Sequence, residues 1–262
     1  MRILLILLVA FAINACTASP NSVLDMSVAV KNPKFGDNDP VEKVKWGGKY
    51  PWRYPVHGID VAKYQGDIDW RTAKRGGVAF AFIKATEGGD HLDHMFATNW
   101  ANAGNAGVPR GAYHFYFFCR TAAEQARWFI RNVPKDPKSL PPVLDMEWNH
   151  QSKSCKYKPS AVKIRAEMKR FLAILTRHYG KKPLIYTTVD FYEDNQLASL
   201  KGYEYWLRSV AGHPSKVYPG QRWSFWQYTG TGRIPGIKGN TDINVFAGSP
   251  ASWRKWVEAR TK

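Results

Sequence analysis

The chain lacks the signatures of several large enzyme classes. It has no Gly-x-x-x-x-Gly-Lys-Ser/Thr loop to cradle phosphates and no Gly-x-Ser-x-Gly nucleophile elbow. This removes the commonest nucleotide-dependent and serine-hydrolase chemistries. Cysteine is scarce, at three in 262 residues, and none shares a paired Cys/His zinc spacing. No tight Asp/Asn loop or His cluster accompanies the acids, so no metal site and no cofactor are expected. The longest apolar run, residues 3–13, is too short to span a bilayer. Acidic residues are also few: 21 against 38 Lys and Arg, a net charge of +17. That balance favours polyanionic partners, namely nucleic acid, anionic lipid, or the acidic polymers and peptide carboxylates of a cell wall. No aromatic RNA-binding signature is present, and no internal repeat.

What the chain has in quantity is aromatic. Eleven Trp, with a hydrophobic share of 44%, supply a sizeable core and argue against extended disorder. Such rings are also what a carbohydrate cleft uses to stack on sugar C–H faces, although core packing consumes them equally well. At the N-terminus, Met1-Arg2, the apolar run and Asn14-Ala15-Cys16 describe a secretory signal over residues 1–15. Ile13-Asn14-Ala15-Cys16 resembles a bacterial lipobox, in which Cys16 becomes the lipidated first residue; cleavage nearby without lipidation is the alternative. Export argues against a nucleic-acid partner. Residues 16–55, short of periodicity and scattered with Pro, Asn and Gly, read as a tether and entry arm. Cys119 and Cys155 both follow expected strands, so they either bridge neighbouring loops or stay as buried thiols.

From residue 56 to 262 short apolar runs alternate with helical stretches. Strands are expected at 57–61, 78–84, 111–118, 141–147, 183–188, 204–208, 223–228 and 241–245. Helices are expected at 69–75, 95–106, 121–132 and 160–179, with a shorter one opening at Asp190. Thr121-x-x-Glu124 has a capping-box pattern, and Ile164, Met168, Phe171, Leu172, Leu175 and Tyr179 share one helical face. Such alternation implies an α/β fold with a parallel sheet covered by helices. Eight strands fit a closed TIM-like barrel; an open doubly wound sheet is the alternative. The last three strands leave no room for long helices between them.

In a parallel barrel the chemistry gathers at the carboxyl ends of the strands. Those ends offer Asp60, Glu87, Asp145 with Glu147, and Asp242 near the eighth strand. Successive side chains on a strand alternate faces, so Asp145 and Glu147 project together, about 6.6 Å apart. Two acids held that close lose solvation and repel, which raises the pKa of at least one and suits a general acid. An ordinary acidic loop after a strand is the alternative for the pair alone. Five carboxylates converging on one mouth of a basic protein, with no cofactor signature, point to glycoside hydrolysis. Tyr113, Tyr186 and Trp226, on or near strand ends, are candidate walls of a sugar site or core packing. His91-x-x-His94 reads as surface-helix chemistry.

Four segments together resemble a known family: Gly58-Ile59-Asp60-Val61-Ala62-Lys63-Tyr64-Gln65-Gly66, Phe82-Ile83-Lys84-Ala85-Thr86-Glu87-Gly88, Gly111-Ala112-Tyr113-His114-Phe115-Tyr116 and Pro142-Val143-Leu144-Asp145-Met146-Glu147. Their order is similar to that of glycoside hydrolase family 25, the Chalaropsis-type lysozymes or N-acetylmuramidases. Trp226-Gln227-Tyr228-Thr229 through Asp242-Ile243-Asn244 resembles the family's closing motif. Ala62 departs from the pattern, where the family more often has Ser. The resemblance implies a modified (β/α)5(β)3 barrel and cleavage of the β-1,4 bond between N-acetylmuramic acid and N-acetylglucosamine in peptidoglycan. By motif position it implies Glu147 as general acid/base and Asp145 as the group that orients the substrate's N-acetyl, whose carbonyl oxygen is the internal nucleophile. Direct inverting attack by water stays open. Asp60 and Asp242 are then supporting carboxylates, with Glu87 a structural support or the runner-up acid.

The expected protein is thus an exported, membrane-anchored, monomeric muramidase acting on glycan strands. Two other readings stay open: a non-catalytic wall-binding module on the same fold, and a hydrolase of another N-acetylated glycan such as chitin.

Overall fold

A computed structural model of the chain describes residues 35–37, 46–150 and 152–261. The expected signal over 1–15, Cys16 and most of the arm to residue 55 lie outside the described residues. Five strand–helix units come first: β2 (His57–Val61) with α1 (Trp70–Arg75), β3 (Ala81–Glu87) with α2 (Phe96–Asn105), β5 (Arg110–Phe115) with α3 (Ala122–Asn132), β6 (Val143–Met146) with α4 (Ala161–Tyr179), and β7 (Leu184–Thr187) with α5 (Val189–Asp194). Three more strands follow, β8 (Tyr205–Arg208), β9 (Phe225–Arg233) and β10 (Thr241–Phe246), with the four-residue α6 (Pro214–Val217) between β8 and β9. The chain ends in α7 (Pro250–Glu258). Two short strands lie outside the cylinder: β1 (Gly36–Asp37) pairs β9, and β4 (His91–Leu92) pairs β3.

The strands close into a mixed eight-stranded barrel in the order β2, β3, β5, β6, β7, β8, β9, β10 and back to β2. Pairing is parallel from β2 round to β9, whereas β10 runs antiparallel to both its neighbours. The open doubly wound alternative is excluded by the β10–β2 pairing.

Local chemistry sets the helices. Asp69, Thr121, Ser160 and Ser249 each accept a backbone N–H at a helix start. Gly180 ends α4 at φ 69°, a left-handed position that costs other residues more. The six apolar residues expected on one face of α4 are all buried. Some boundaries differ from expectation. Val78 N–H bonds to Ala73 O and closes the α1 turn, Ala79 N–H and Phe80 O already bond to His57 and Ile59 of β2, and the regular strand β3 begins at Ala81. β5 stops at Phe115 because the Gln125 side-chain amide binds both the N–H and the carbonyl of Phe117, holding a turn there. His91 stands on β4, and His94 in the turn after it, where a surface helix was expected; both are exposed.

Two apolar layers result. Outward residues such as Ile59, Ile83, Leu144, Ile185, Leu207 and Ile243 meet the helices. Inward residues Phe80, Phe82, Val143, Leu184, Trp206 and Phe225 fill the cylinder. Gly58 shares the inward face; a Cβ there would sit 2.5 Å from the Phe80 ring, so only glycine fits. The α7 helix, which the sequence reading did not anticipate, supplies Trp253 and Val257 to this inner layer. Trp253 lies 5.2 Å from the rings of Phe80 and Phe246, plugging the end away from the carboxyl termini of the parallel strands. Each such buried ring contributes about 1.5–3 kcal/mol.

Candidate active site

Alternation along each strand decides what reaches the mouth. On β6, Leu144 and Met146 pack outward against helices while Val143 and Asp145 face in; Glu147 continues that parity just past the strand. On β2 the same parity delivers Asp60, and on β8 it delivers Trp206 and Arg208. β10 contributes differently. It runs against its neighbours, so its first turn lies at the mouth, and Asp242 sits directly across from Asp60 in the ladder.

These groups line one cleft of about 1120 Å³, shared by Asp60, Glu87, Tyr113, Asp145, Glu147, Tyr186, Trp206, Arg208, Gln227 and Asp242. All five carboxylates named from the sequence therefore come together, with both tyrosines. Trp226 does not. Phe225 and Gln227 take the inward parity of β9, which turns Trp226 outward, fully buried. Its indole N–H binds Ser209 O, and its ring packs edge-on to Trp46 at 5.2 Å and beside Tyr54, His213 and Trp223. Trp226 is thus a packing residue that docks the described part of the N-terminal arm.

Asp60 is held in a buried polar network. Its Oδ1 accepts from Gln227 Nε2 at 2.9 Å and Asn244 Nδ2 at 2.7 Å. Tyr186 O–H donates to Gln227 Oε1 at 2.9 Å, and Trp206 N–H donates to Asn244 Oδ1 at 2.7 Å. Two core rings thereby fix two amides, and the amides fix the carboxylate. Burial and the nearby Asp242 still push Asp60 well above the usual carboxylate range, against the lowering effect of the two amides.

Asp145 is buried, and its Oδ1 has no hydrogen-bond partner among the described residues. Burial first, then the charge of Glu147, raises its pKa well above normal; Lys84 opposes this. Glu147 is raised by burial, with Arg208 the largest opposing influence. Asp242 is pushed up to about 6 by burial, again opposed by Arg208. Glu87 is tied to Lys84 Nζ at 2.6 Å, and that ammonium also stands 4.7 Å over the Phe115 ring. A protonatable acid on one wall, a buried carboxyl with an open acceptor beside it, and a fixed acid pair opposite can donate and take back a proton around a bound polar chain. Among the described residues no trio of His, Cys, Asp or Glu gathers as a metal site.

Cys119 and Cys155 are joined, Cα–Cα 5.7 Å, linking the loop after β5 to the loop after β6. The second loop carries Asn149, His150 and Ser152 on the cleft rim. Asn149 Nδ2 is anchored to Tyr116 O at 3.0 Å, and Trp148 N–H binds Asp194 at 2.8 Å. Sequence reasoning assigned no role to Lys84, Arg208, Gln227 or Asn244. The available signal was parity: each is a polar residue at an inward position of its strand.

Comparison with known proteins agrees with this geometry. Residues 59–237 match the family described as glycosyl hydrolases family 25. The chain is 38% identical over 207 residues to lysozyme M1 of Streptomyces globisporus, covering 75% of this chain and 69% of that protein. It is 36% identical over 218 residues to the uncharacterized protein YegX of Escherichia coli strain K12, covering 80% and 76%. A family 25 glycosyl hydrolase from Bacillus anthracis superposes with a TM-score of 0.73 at 38% identity, covering 79% of this chain and 95% of that one. A bacterial lysozyme from Streptomyces coelicolor gives a TM-score of 0.68 at 35% identity, covering 79% and 97%. Similarity in sequence across the barrel, and in the fold that gathers its acids, assigns this chain to glycosyl hydrolases family 25.

Proposed function

We propose that the protein is a muramidase that hydrolyses the β-1,4 bond between N-acetylmuramic acid and N-acetylglucosamine in peptidoglycan. The observation that carries this reading is the side-by-side emergence of Asp145 and Glu147 into a cleft whose far wall is the Asp60–Asp242 pair.

Glu147, whose carboxyl burial shifts toward the protonated form, gives its proton to the glycosidic oxygen as the anomeric C–O bond breaks. The acetamido carbonyl oxygen of the same muramoyl unit bonds to the anomeric carbon. Asp145 Oδ1, an unfilled acceptor, takes the hydrogen bond from the acetamido N–H and stabilises the positive charge that develops on that group. Glu147, now a carboxylate, removes a proton from water as its oxygen attacks the anomeric carbon and the ring reopens. Tyr186 and Tyr113 stay protonated, since burial raises both, and serve as neutral walls.

Borohydride reduction of the products from purified peptidoglycan is the test. Muramitol at the new ends supports the proposal, whereas glucosaminitol, binding without release, or cleavage of chitin oligosaccharides alone refutes it. The anomer formed first, read by NMR, separates acetamido participation from direct inversion.

The reading extends to export and anchoring through a lipid on Cys16. The Ile13-Asn14-Ala15-Cys16 pattern and the net charge of +17, suited to an anionic wall and membrane surface, support it. Mass spectrometry of the native N-terminus tests it: an unmodified or uncleaved Cys16 refutes it.

A further inference from the structure

The cleft is crowded with acids, yet the substrate proposed above carries one of its own. The muramoyl unit differs from N-acetylglucosamine by a 3-O-lactyl group, a carboxylate when free and an amide carbonyl when a peptide is attached. A carboxylate entering among Asp60, Asp145, Glu147 and Asp242 needs a cation to meet it. Three basic side chains line the cleft among the described residues: Lys84, His150 and Arg208. Lys84 is engaged by Glu87 at 2.6 Å. His150 faces Asp190 at 3.5 Å on the exposed rim. The Arg208 guanidinium forms no ion pair or hydrogen bond with any described residue.

Its backbone, by contrast, is fixed. Arg208 ends β8 in register with Gln227 on β9, and the Tyr218 hydroxyl donates to its carbonyl at 2.6 Å. The residue is half-buried, and the side chain is close enough to act electrostatically on Asp60, Glu147 and Asp242 together. It is therefore a planar, permanently charged fork set among the acids with its donors unspent. That geometry suits a carboxylate or carbonyl oxygen presented edge-on.

We propose that Arg208 binds the 3-O-lactyl group of the muramoyl unit and is the residue that makes the cleft prefer muramoyl glycans over plain N-acetylglucosamine polymers. The lactyl ether sits on the carbon next to the one bearing the acetamido group. Asp145 at the acetamide and Arg208 at the lactyl oxygens would then read adjacent positions of one sugar. This rests on the muramidase reading, and its test is separable from turnover.

Calorimetry in the Glu147→Gln background compares an amidase-stripped muramoyl tetrasaccharide, the same glycan with its peptide attached, the carboxyl-reduced glycan, and chitotetraose. Arg208→Ala is expected to lower the affinity ratio of muramoyl glycan to chitotetraose by roughly tenfold to a hundredfold, as for hydrogen bonds to charged groups. Arg208→Lys recovers only part of it. With Arg208 present, carboxyl reduction lowers affinity; in Arg208→Ala it has little further effect. The peptide-linked glycan distinguishes the sources: a drop on Arg208 removal confined to the stripped glycan assigns the contact to free carboxylate, and a drop in both assigns it to the lactyl carbonyl. An unchanged ratio in a folded Arg208→Ala, verified by circular dichroism, overturns the proposal. So does equal loss toward both polymers, which would leave Arg208 acting only on the acids. Release of muramic reducing ends by the wild-type enzyme separately decides the muramidase reading.

Discussion

Asp242 gives the sharpest stability test. Its carboxyl titrates near 6 in the fold against an ordinary 3.8, chiefly because burial disfavours the anion. Each tenfold change in proton affinity is worth about 1.4 kcal/mol, so at a pH above both values the charged form costs the fold about 3 kcal/mol. The sign follows from proton counting. Between pH 3.8 and 6 the native state binds more protons than the unfolded chain, so stability falls as pH rises through that window and levels off above it. Asp242→Asn keeps the shape and removes the ionisation. Urea unfolding is therefore expected to show the variant more stable than wild type by up to about 3 kcal/mol at pH 8. The gain shrinks to near zero at pH 3.5, where both side chains are neutral. Loss of stability at pH 8, or a gain that does not change with pH, would refute the burial argument and with it the picture of an acid cluster retained at the expense of the fold.

Glu147→Gln should lower release of reducing ends by about 10²–10⁴-fold or more while unfolding near the wild-type temperature. Asp145→Asn should cost less, since it perturbs the acetamido contact without removing the proton donor. Replacing Cys119 and Cys155 by Ser frees a loop spanning a sequence separation of 36, which should lower stability by about 4 kcal/mol in denaturant titration. Trp226→Ala should cost about 3–5 kcal/mol of stability yet leave KM for peptidoglycan near normal, because its ring packs on the arm and away from the cleft. A large rise in KM with little loss of stability would return Trp226 to the sugar site.

Much of the site was legible because carboxylates at strand ends are conspicuous in apolar runs. The Asp145–Glu147 spacing needed only the two-residue period of a strand to put both groups on one face. The five strand–helix units were equally readable from alternating periods and caps such as Thr121 and Ser160. The sequence left Trp226 between sugar wall and core packing for a definite reason. Phe225, Trp226 and Tyr228 are apolar or aromatic on both faces of β9, so hydrophobic pattern carries no parity there. The inward direction is set by Gln227 reaching Asp60, a contact across 167 positions of sequence. The direction of β10 was hidden in the same way. The turn at 234–240 is too short for a crossover helix, yet only the ladder shows that the start of β10, with Asp242, lies at the mouth. Helix α7 carried its Ser249-Pro250 opening, but its role as a plug depends on which rings the barrel leaves uncovered.

The reversal of β10 has a consequence for how this scaffold is tuned. In an all-parallel cylinder every linker at the working rim leads from a strand into a helix, so its length is constrained by the helix it must reach. Here the connection from β9 to β10 is a hairpin bend on that same rim; it leads into no helix and is fixed at one point, where Asp69 N–H at the start of α1 donates to Gly236 O at 2.9 Å. Residues can be added between the exposed Lys238 and Gly239, beyond that anchor, while Asp60 and Asp242 stay paired below.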